Sequence, residues 1–280
     1  MIVRCWGSRG SIPVSGRQYL RYGGDTTCIE VRSSSGEVLV IDAGSGLRRL
    51  GNRLVSEGIY TITLLFTHAH WDHLLAFPFF KPIYFSRTLI DIHACPFGHA
   101  SVQAMIAPVM EAPYFPVSYD QLQATVTHHA ICQSTLELAG LTVQTIPLSH
   151  PNHGVGYRIS EGEHSFVFLT DNELSYLHDG GCSFEEYVRF SAGADLLLHD
   201  AEYTPQDYEK RKTWGHSVYT DALELALRAG VRSFGLFHHN QERSDGQLDE
   251  IVRNCQLLVK KRGSELRCFG AAADQEWRLG

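Results

Sequence analysis

Four potential metal ligands fall within six residues of this chain, in the segment H-A-H-W-D-H at positions 68–73. Imidazole and carboxylate groups together suit zinc, manganese or iron. The segment follows an apolar, β-branched run at residues 61–66, and a strand that ends by turning into a helix can direct all four side chains inward. A lone histidine is usually structural, whereas this spacing predicts a metal site. The ligands it supplies are His68, His70, Asp72 and His73.

One loop cannot saturate two metal ions, so further ligands must come from distant parts of the chain. Three candidates each follow an apolar, strand-like run: His150, Asp171 and His238. Strand ends on one rim of a sheet converge in space, which assembles such a site from separate segments. Two alternatives stay open, because His153 lies three residues after His150 and His239 directly follows His238.

A turn-rich loop, G-S-R-G-S at residues 7–11, follows the first strand-like run. A guanidinium group and backbone amides in such a loop suit a phosphate or a ribose. We therefore predict that Arg9 and Ser11 contact the substrate. The alternative is that the loop only closes a hairpin.

Positioning these residues requires a framework rich in strands. Strand-like runs occupy residues 1–5, 27–32, 38–41, 61–66, 89–93, 141–148, 156–160, 165–170, 195–199, 234–238 and 266–269. Helix-like runs occupy residues 47–57, 100–107, 184–191, 219–229 and 248–262. A turn at residues 33–36 indicates a hairpin and hence antiparallel pairing. The pattern favours an α/β (α+β) fold in which two mostly antiparallel or mixed sheets are flanked by helices, over a doubly wound parallel sheet.

We interpret residues 1–280 as one domain, because no repeat, low-complexity segment or linker interrupts them. Residues 96–127 differ from the rest. Pro108, Pro113 and Pro116 break this segment, and aromatic residues such as Tyr114 and Phe115 line it. The segment is either a packed surface loop or a lid or dimer contact near the site.

The composition excludes several classes of protein. The chain has 280 residues, 44% of them hydrophobic, which is enough for a substantial core. Its formal charge of −7, without a strong basic block, argues against a protein that grips long nucleic acid. No apolar run is long enough to span a membrane, and no signal peptide is evident, so a cytoplasmic protein is expected. Seven scattered cysteines without a C-x-x-C pair predict reduced thiols and no disulfide framework.

The H-x-H-x-D-H motif, followed in order by a histidine, an aspartate and a histidine, resembles the metallo-β-lactamase superfamily. The resemblance runs from residue 7 to the last strand and is nearest to ribonuclease Z and the cyclic-nucleotide and phosphoribosyl cyclic phosphodiesterases. It implies an αββα four-layer sandwich and two divalent ions, zinc before manganese or iron, bridged by an aspartate and a water. The implied ligands are His68, His70 and His150 for the first metal, Asp72, His73 and His238 for the second, and Asp171 as the bridge.

Two further segments separate the branches of that superfamily. The segment W-G-H-S at 214–217 resembles the G-H-S segment of ribonuclease Z, and H-D-A-E at 199–202 resembles its H-E-A-T segment. The resemblance implies that His216 protonates the leaving oxygen, with Asp200 as its orienting partner. Together with Asp72 these are the predicted catalytic residues, and a hydroxide held by the two metals would attack phosphorus in line. A structural role for His216 is the alternative.

The resemblance also bears on substrate size. The tRNA-processing members carry a protruding arm between the third and fourth metal motifs, whereas His150 and Asp171 are only 21 residues apart here. Together with the net negative charge, this short spacing favours a small, cyclic nucleotide-like phosphodiester as the substrate. Because dimers are common in the branch, the resemblance also suggests a homodimer. The phosphoribosyl enzymes carry a cysteine-based zinc site near the N-terminus that is not evident here. Alternatives are a thioester or lactone hydrolase of the same fold, a tRNA-processing endonuclease, a flavodiiron-type redox protein and a non-catalytic nucleotide binder.

Overall fold

The computed structural model describes residues 1–280 and contains two seven-stranded sheets. In chain order, the strands of the first sheet are β1 (Ile2–Gly7), β2 (Cys28–Arg32), β3 (Val38–Ile41), β4 (Thr61–Phe66), β5 (Leu89–Ala94), β6 (Thr125–Ala130) and β14 (Glu276–Arg278). Their spatial order is β14-β1-β2-β3-β4-β5-β6. The β2–β3 pair forms the predicted antiparallel hairpin, and β3, β4, β5 and β6 are parallel neighbours. The sheet is therefore mixed.

The second sheet repeats this mixed pattern. Its strands are β7 (Thr135–Leu138), β8 (Leu141–Pro147), β9 (Val155–Glu161), β10 (His164–Leu169), β11 (Leu196–Asp200), β12 (Ser233–Phe237) and β13 (Arg267–Gly270). They lie in the order β13-β12-β11-β10-β9-β8-β7. β7 to β10 form an antiparallel meander, whereas β10 to β13 are parallel.

Seven α-helices connect the strands: α1 (Leu47–Glu57), α2 (Trp71–Leu74), α3 (Val102–Ile106), α4 (Phe184–Ser191), α5 (Pro205–Tyr208), α6 (Tyr219–Ala229) and α7 (Asp245–Lys261). The longest, α7, begins at a capping box in which Ser244 and Gln247 satisfy the free backbone amides. α6 ends at Gly230, whose left-handed conformation terminates the helix without a side-chain clash. No helix combines the length and apolar character needed to cross a bilayer.

Three apolar clusters define four layers. One cluster lies between the sheets and draws on both, for example through Ile29 and Leu39 of the first sheet and Phe166 and Phe237 of the second. A second cluster joins the outer face of the first sheet to α1 and α3. A third joins the outer face of the second sheet to α4, α6 and α7. The αββα sandwich that the resemblance implied is confirmed.

Three strands were missing from the sequence-based prediction. β6 and β7 have few buried side chains, since each lies at a sheet edge, so their apolar alternation is weak. β14 has only three residues and depends on pairing with β1. Local pattern is least informative for short edge strands, which are held by a neighbour distant in sequence.

Residues 96–127 form α3, short 3₁₀ turns and the start of β6. Val102, Met105 and Met110 of this segment are buried in the helix-side core of the first sheet. Tyr114, by contrast, is 84% exposed. A role for this segment as a lid or dimer contact stays a prediction.

The prediction that all cysteines are reduced is wrong for one pair. Cys95 and Cys132 form a disulfide, with their Cα atoms 4.6 Å apart. They are 37 residues apart in sequence, but Cys95 directly follows β5 and Cys132 lies just beyond β6. These strands are parallel neighbours, so their carboxyl ends meet at the same edge. The other five cysteines are free.

Candidate metal centre

The predicted ligands lie where strands of both sheets end on one rim of the sandwich. β4 leads into His68, β8 into His150, β10 into Asp171 and β12 into His238. β10, β11 and β12 are parallel, so their carboxyl ends are side by side. Asp171 and His238 both have left-handed backbones, with φ of 50° and 57°. Such conformations are unfavourable for residues other than glycine and cluster at functional sites.

The first ligand cluster consists of His68, His70, His150 and Asp171, whose ligand atoms all lie within 4.8 Å of one another. His68 Nε2 is 3.6 Å and His150 Nε2 is 3.9 Å from Asp171 Oδ2. His70 presents its Nδ1, which lies 3.1 Å from His150 Nε2. Three imidazoles and one carboxylate oxygen surround a point that one dication can occupy.

The second cluster consists of Asp72, His73, Asp171 and His238, again within 4.8 Å. The helical turn α2 carries Asp72 and His73 and begins directly after His70, as the motif predicted. His73 Nε2 and His238 Nε2 each lie 3.3 Å from Asp171 Oδ1. Asp171 therefore presents Oδ2 to the first cluster and Oδ1 to the second, which is the geometry of a bridging ligand.

Acceptors outside the clusters determine which nitrogen each imidazole directs inward. His73 Nδ1–H donates to Asp42 Oδ2 at 2.7 Å, and His238 Nδ1–H donates to Glu202 Oε2 at 2.9 Å. His150 Nδ1–H donates to the Gly215 carbonyl at 3.0 Å. Carboxylates and carbonyls only accept hydrogen bonds, so in the neutral form of each ring Nε2 carries the free lone pair. Metal-binding histidines are typically oriented by such contacts.

The donor set fits a dinuclear metal site. Nε2 of His68 and Nε2 of His73 are buried and have no hydrogen-bond partner in the protein. A buried polar atom without a partner is costly, and one metal ion in each cluster would satisfy these two nitrogens. Burial lowers the pKa of His150 to about 3 and that of His68 well below its usual value. Both rings are thus neutral, the form that binds metal.

Charge in the second cluster is arranged differently. Burial alone would raise the pKa of Asp72 and Asp171, but the imidazoles of His73 and His238 lower both well below the usual carboxyl range. Burial alone would lower the pKa of His73 and His238, but the same carboxylates raise both. Metal binding releases protons from its ligands, so a dication would replace these shared protons. The two clusters together indicate a dinuclear metal site.

Two glycines allow the backbone to approach the ligands. A Cβ atom at Gly10 would lie 2.2 Å from the His238 ring, and one at Gly215 would lie 2.0 Å from His150 Nδ1. Gly215 also has a left-handed φ of 93°. Any side chain at either position would displace a ligand. This explains why glycines stand in both the loop at 7–11 and the G-H-S segment.

His216 lies between the two ligand clusters, on the same rim. Its Nδ1–H donates to Asp200 Oδ2 at 2.7 Å. Its ring stacks on that of His238 at 4.7 Å and meets that of His150 at 5.5 Å. Burial alone would lower the pKa of His216, but the carboxylates of Glu202 and Asp200 raise it to about 9. The two carboxylates therefore favour the protonated form of this imidazole, which lies beside both clusters.

His153 and His239, the two alternative ligands, make contacts outside the ligand clusters. His153 stacks on Phe97, with ring centroids 5.8 Å apart, and borders a different cavity. His239 is buried and its Nε2–H donates to the Ala271 carbonyl at 2.7 Å. Neither residue belongs to the two ligand clusters.

This geometry predicts an order of sensitivity among the histidines. His150→Ala should abolish hydrolysis because it removes a cluster ligand, whereas His153→Ala should reduce the rate much less. The same order should hold for His238→Ala over His239→Gln. Metal content and hydrolytic rate measured on each variant test this. A dead His153→Ala enzyme beside an active His150→Ala enzyme would contradict the ligand assignment.

The structure gives Arg9 a set of contacts within the protein, and its role as a substrate contact stays a prediction. Its side chain is fully buried. Its guanidinium donates to the backbone carbonyls of Gly23, Asn240 and Arg243. The turn-rich loop lies against the chain that follows β12, so this arginine fixes two loops to each other. The backbone amide of Ser11 donates to Asp72 Oδ2 at 2.8 Å, and Ser11 is exposed at the cleft beside His216.

Glu202 and Glu173 are two buried residues near the site to which the sequence assigned no role. Glu202 orients His238 and also accepts from Asn240 Nδ2 at 2.8 Å. Glu173 accepts from the backbone amides of Thr213 and Gly215, at 2.7 and 2.8 Å, and so fixes the loop that carries His216. The sequence did contain a signal for both glutamates, because each lies two residues after an aspartate that was predicted to belong to the site. An acidic residue in an otherwise apolar strand end requires a partner.

A family model described as the beta-lactamase superfamily domain matches residues 38–239. Ribonuclease Z of Haloarcula marismortui is 25% identical, over 98% of this chain and 99% of the relative.

Two solved structures each align with 100% of this chain, at 18% identity and a TM-score of 0.69. One is the metallo-β-lactamase fold protein YhfI from Bacillus subtilis, and the alignment covers 99% of it. The other is a diphosphatase from the PhnP family, and the alignment covers 98% of it. The match to the family model spans most of the chain and contains all seven ligands of the two clusters. The protein therefore belongs to the beta-lactamase superfamily, in its ribonuclease Z and phosphodiesterase-like branch, and is a metal-dependent hydrolase.

Proposed function

We propose that this protein hydrolyses a small, nucleotide-like phosphodiester, with two zinc ions in the centre and His216 as the general acid. Manganese or iron would suit the same donor set. Relatives named ribonuclease Z and diphosphatase support chemistry at phosphorus. Held by the two clusters, the metal pair would supply Lewis-acid activation of the phosphoryl group and of water.

The position of His216 is the observation that carries the proposal. Hydrolysis of an alkyl phosphodiester expels a poor leaving group, which needs a proton as the bond breaks. His216 lines the cleft beside both clusters, and its Nδ1 is engaged by Asp200, so Nε2 is the nitrogen left for the substrate. A thioester expels a thiolate, which departs without a proton, so an acid in this place disfavours a thioester substrate.

The cavity beside His216 supports a nucleotide-like substrate. It has a volume of about 360 Å³, and ten of its twelve lining residues are not hydrophobic. Trp214 stands at its edge with 60% of its surface exposed, which offers an aromatic face for a base. Gln241 and Arg243 both line the cavity. Polar side chains of this kind suit the polar edge of a heterocycle.

The roles of this chain's residues follow from their contacts. Asp200 orients His216 and stabilises its protonated form. Glu202 orients His238 and adds negative charge 3.5 Å from His216 Nδ1. Ser11 directs its amide to Asp72, which keeps that carboxylate aimed at the second cluster. These contacts hold the site in one arrangement before substrate arrives, which lowers the reorganisation that the reaction requires.

A substrate panel tests the reaction class. We expect hydrolysis of bis-(p-nitrophenyl) phosphate and of at least one cyclic nucleotide, with little turnover of a lactone or a thioester. Metal content should be measured on the same sample. Faster turnover of the lactone or thioester would refute the assignment to phosphodiesters.

A tRNA precursor belongs in the same panel, since the ribonuclease Z relative matches nearly the whole chain. The net charge of −7 predicts weak binding, because affinity for long nucleic acid comes mainly from contacts of basic side chains with phosphates. Efficient, site-specific 3′ trimming of the precursor would show that the substrate is RNA and not a small diester.

A further inference from the structure

A second set of metal-binding side chains lies on the first sheet and shares no residue with the centre described above. It consists of Asp91 and His93 on β5 and His129 on β6, whose ligand atoms lie within 4.8 Å of one another. We propose that these three residues bind a transition-metal dication of the zinc class, which clamps the edge strand β6 to β5.

Strand register brings the three residues together. Asp91 and His93 are two residues apart on β5 and therefore share a face, and His129 is the direct partner of His93 in the parallel pair. The imidazoles of His93 and His129 are stacked, with centroids 4.7 Å apart. Two side-chain nitrogens and a carboxylate consequently converge on one point between neighbouring strands.

The distances between the three side chains and the types of their donor atoms resemble those of a zinc ligand set. His93 Nε2 lies 3.0 Å from Asp91 Oδ2, and His129 Nε2 lies 2.7 Å from Asp91 Oδ1. Both histidines thus present the same nitrogen to the same carboxylate. Two imidazoles and one carboxylate form a common zinc donor set, and ligand atoms around tetrahedral zinc are roughly 3.3 Å apart. Small side-chain movements would bring the three groups to that spacing.

Burial distinguishes the members of the cluster. His93 is 5% exposed, whereas the side chain of His129 is 51% exposed. The ion would sit at the open margin of the sandwich, with protein on one side and water available for the fourth position. Thr127 Oγ1–H donates to Asp91 Oδ1 at 2.6 Å, which orients the carboxylate in the way that outer contacts orient metal ligands.

At this location a metal ion would stabilise the pairing of an edge strand. β6 is the last strand of its sheet and pairs with β5 only. Edge strands carry unpaired backbone groups and are prone to fray or to pair with other chains. The Cys95–Cys132 disulfide already joins the ends of the same two strands. A metal held two residues before Cys95 would add a second cross-link to this one strand pair.

Zinc binding to matched variants tests the clamp. His129→Gln removes an exposed ligand without disturbing the core. His128→Gln is the control, because His128 is the adjacent histidine on the opposite face, where it contacts Tyr119. The full chain is equilibrated at one buffered free zinc concentration and analysed for metal. We expect His129→Gln to hold about one zinc ion fewer per chain than the wild type, and His128→Gln to match the wild type.

The hydrolytic rate provides a second readout that separates this site from the catalytic centre. His129→Gln should lose its zinc ion while the rate of phosphodiester hydrolysis stays within about twofold of wild type. Equal zinc content in the two variants would overturn the clamp, whether both match the wild type or both fall below it. Loss of zinc together with loss of activity would also overturn it, since the missing ion would then belong to the catalytic centre.

Discussion

Asp171→Ala should remove at least one metal ion and lower the hydrolytic rate by more than about 100-fold. Residues that only orient metal ligands already contribute 10–100-fold, and Asp171 contacts both clusters directly. Its two oxygens face different groups of histidines, so its loss leaves each cluster one ligand short. Elemental analysis and rate on the same sample measure the effect. The wild type should contain about two catalytic ions per chain.

Glu202→Gln is the matched comparison for this variant. It keeps the size of a buried side chain, weakens the acceptor that orients His238, and removes the negative charge that lies 3.5 Å from His216 Nδ1. We expect both catalytic ions to remain at saturating metal and the rate to fall by about 10–100-fold. Active wild-type enzyme with one catalytic ion or none would contradict the dinuclear site. So would an Asp171→Ala enzyme that keeps both ions and its rate.

His216→Ala should keep both metal ions but lose about 10²–10⁴-fold in rate on an alkyl phosphodiester, the range expected for a general acid. On a p-nitrophenyl ester the loss should be much smaller, because nitrophenolate departs without a proton. The physical basis is the position of His216, which is bonded to Asp200 and stacked on the ligand His238. Rates on the two leaving groups, with metal content measured in parallel, give the comparison.

Asp200→Asn provides the graded version of this test. The amide can still accept from His216 Nδ1 but no longer stabilises the imidazolium, so the same dependence on leaving group should appear in milder form. A purely structural histidine would slow both substrates alike. Equal losses on the two substrates, with metal content intact, would show that the proton comes from another group.

The sequence by itself predicted the residues of both clusters, because their signal is local. The segment 68–73 supplies four ligands, and each remaining ligand follows an apolar run that reads as a strand. The helix α4 and the strands β3 and β4 have the predicted bounds, since their apolar periodicity is strong. The four-layer arrangement followed from the resemblance that this motif carries.

Tertiary structure alone decided the features that depend on pairing across long stretches of chain. Arg9 has the residue type of a phosphate contact, yet the loop after β12 covers it and its guanidinium bonds to backbone carbonyls. Cys95 and Cys132 have no informative spacing and meet because β5 and β6 are parallel neighbours.

Register likewise decided the cluster of Asp91, His93 and His129. A one-residue shift of β6 would turn His129 to the opposite face of the sheet and bring His128 to its place. Composition and local spacing carry no information on register at an edge strand, because few buried side chains specify it there. The residues of the two catalytic clusters could be predicted from the sequence because they follow well-buried strands. The cluster of Asp91, His93 and His129 forms only because β5 and β6 pair.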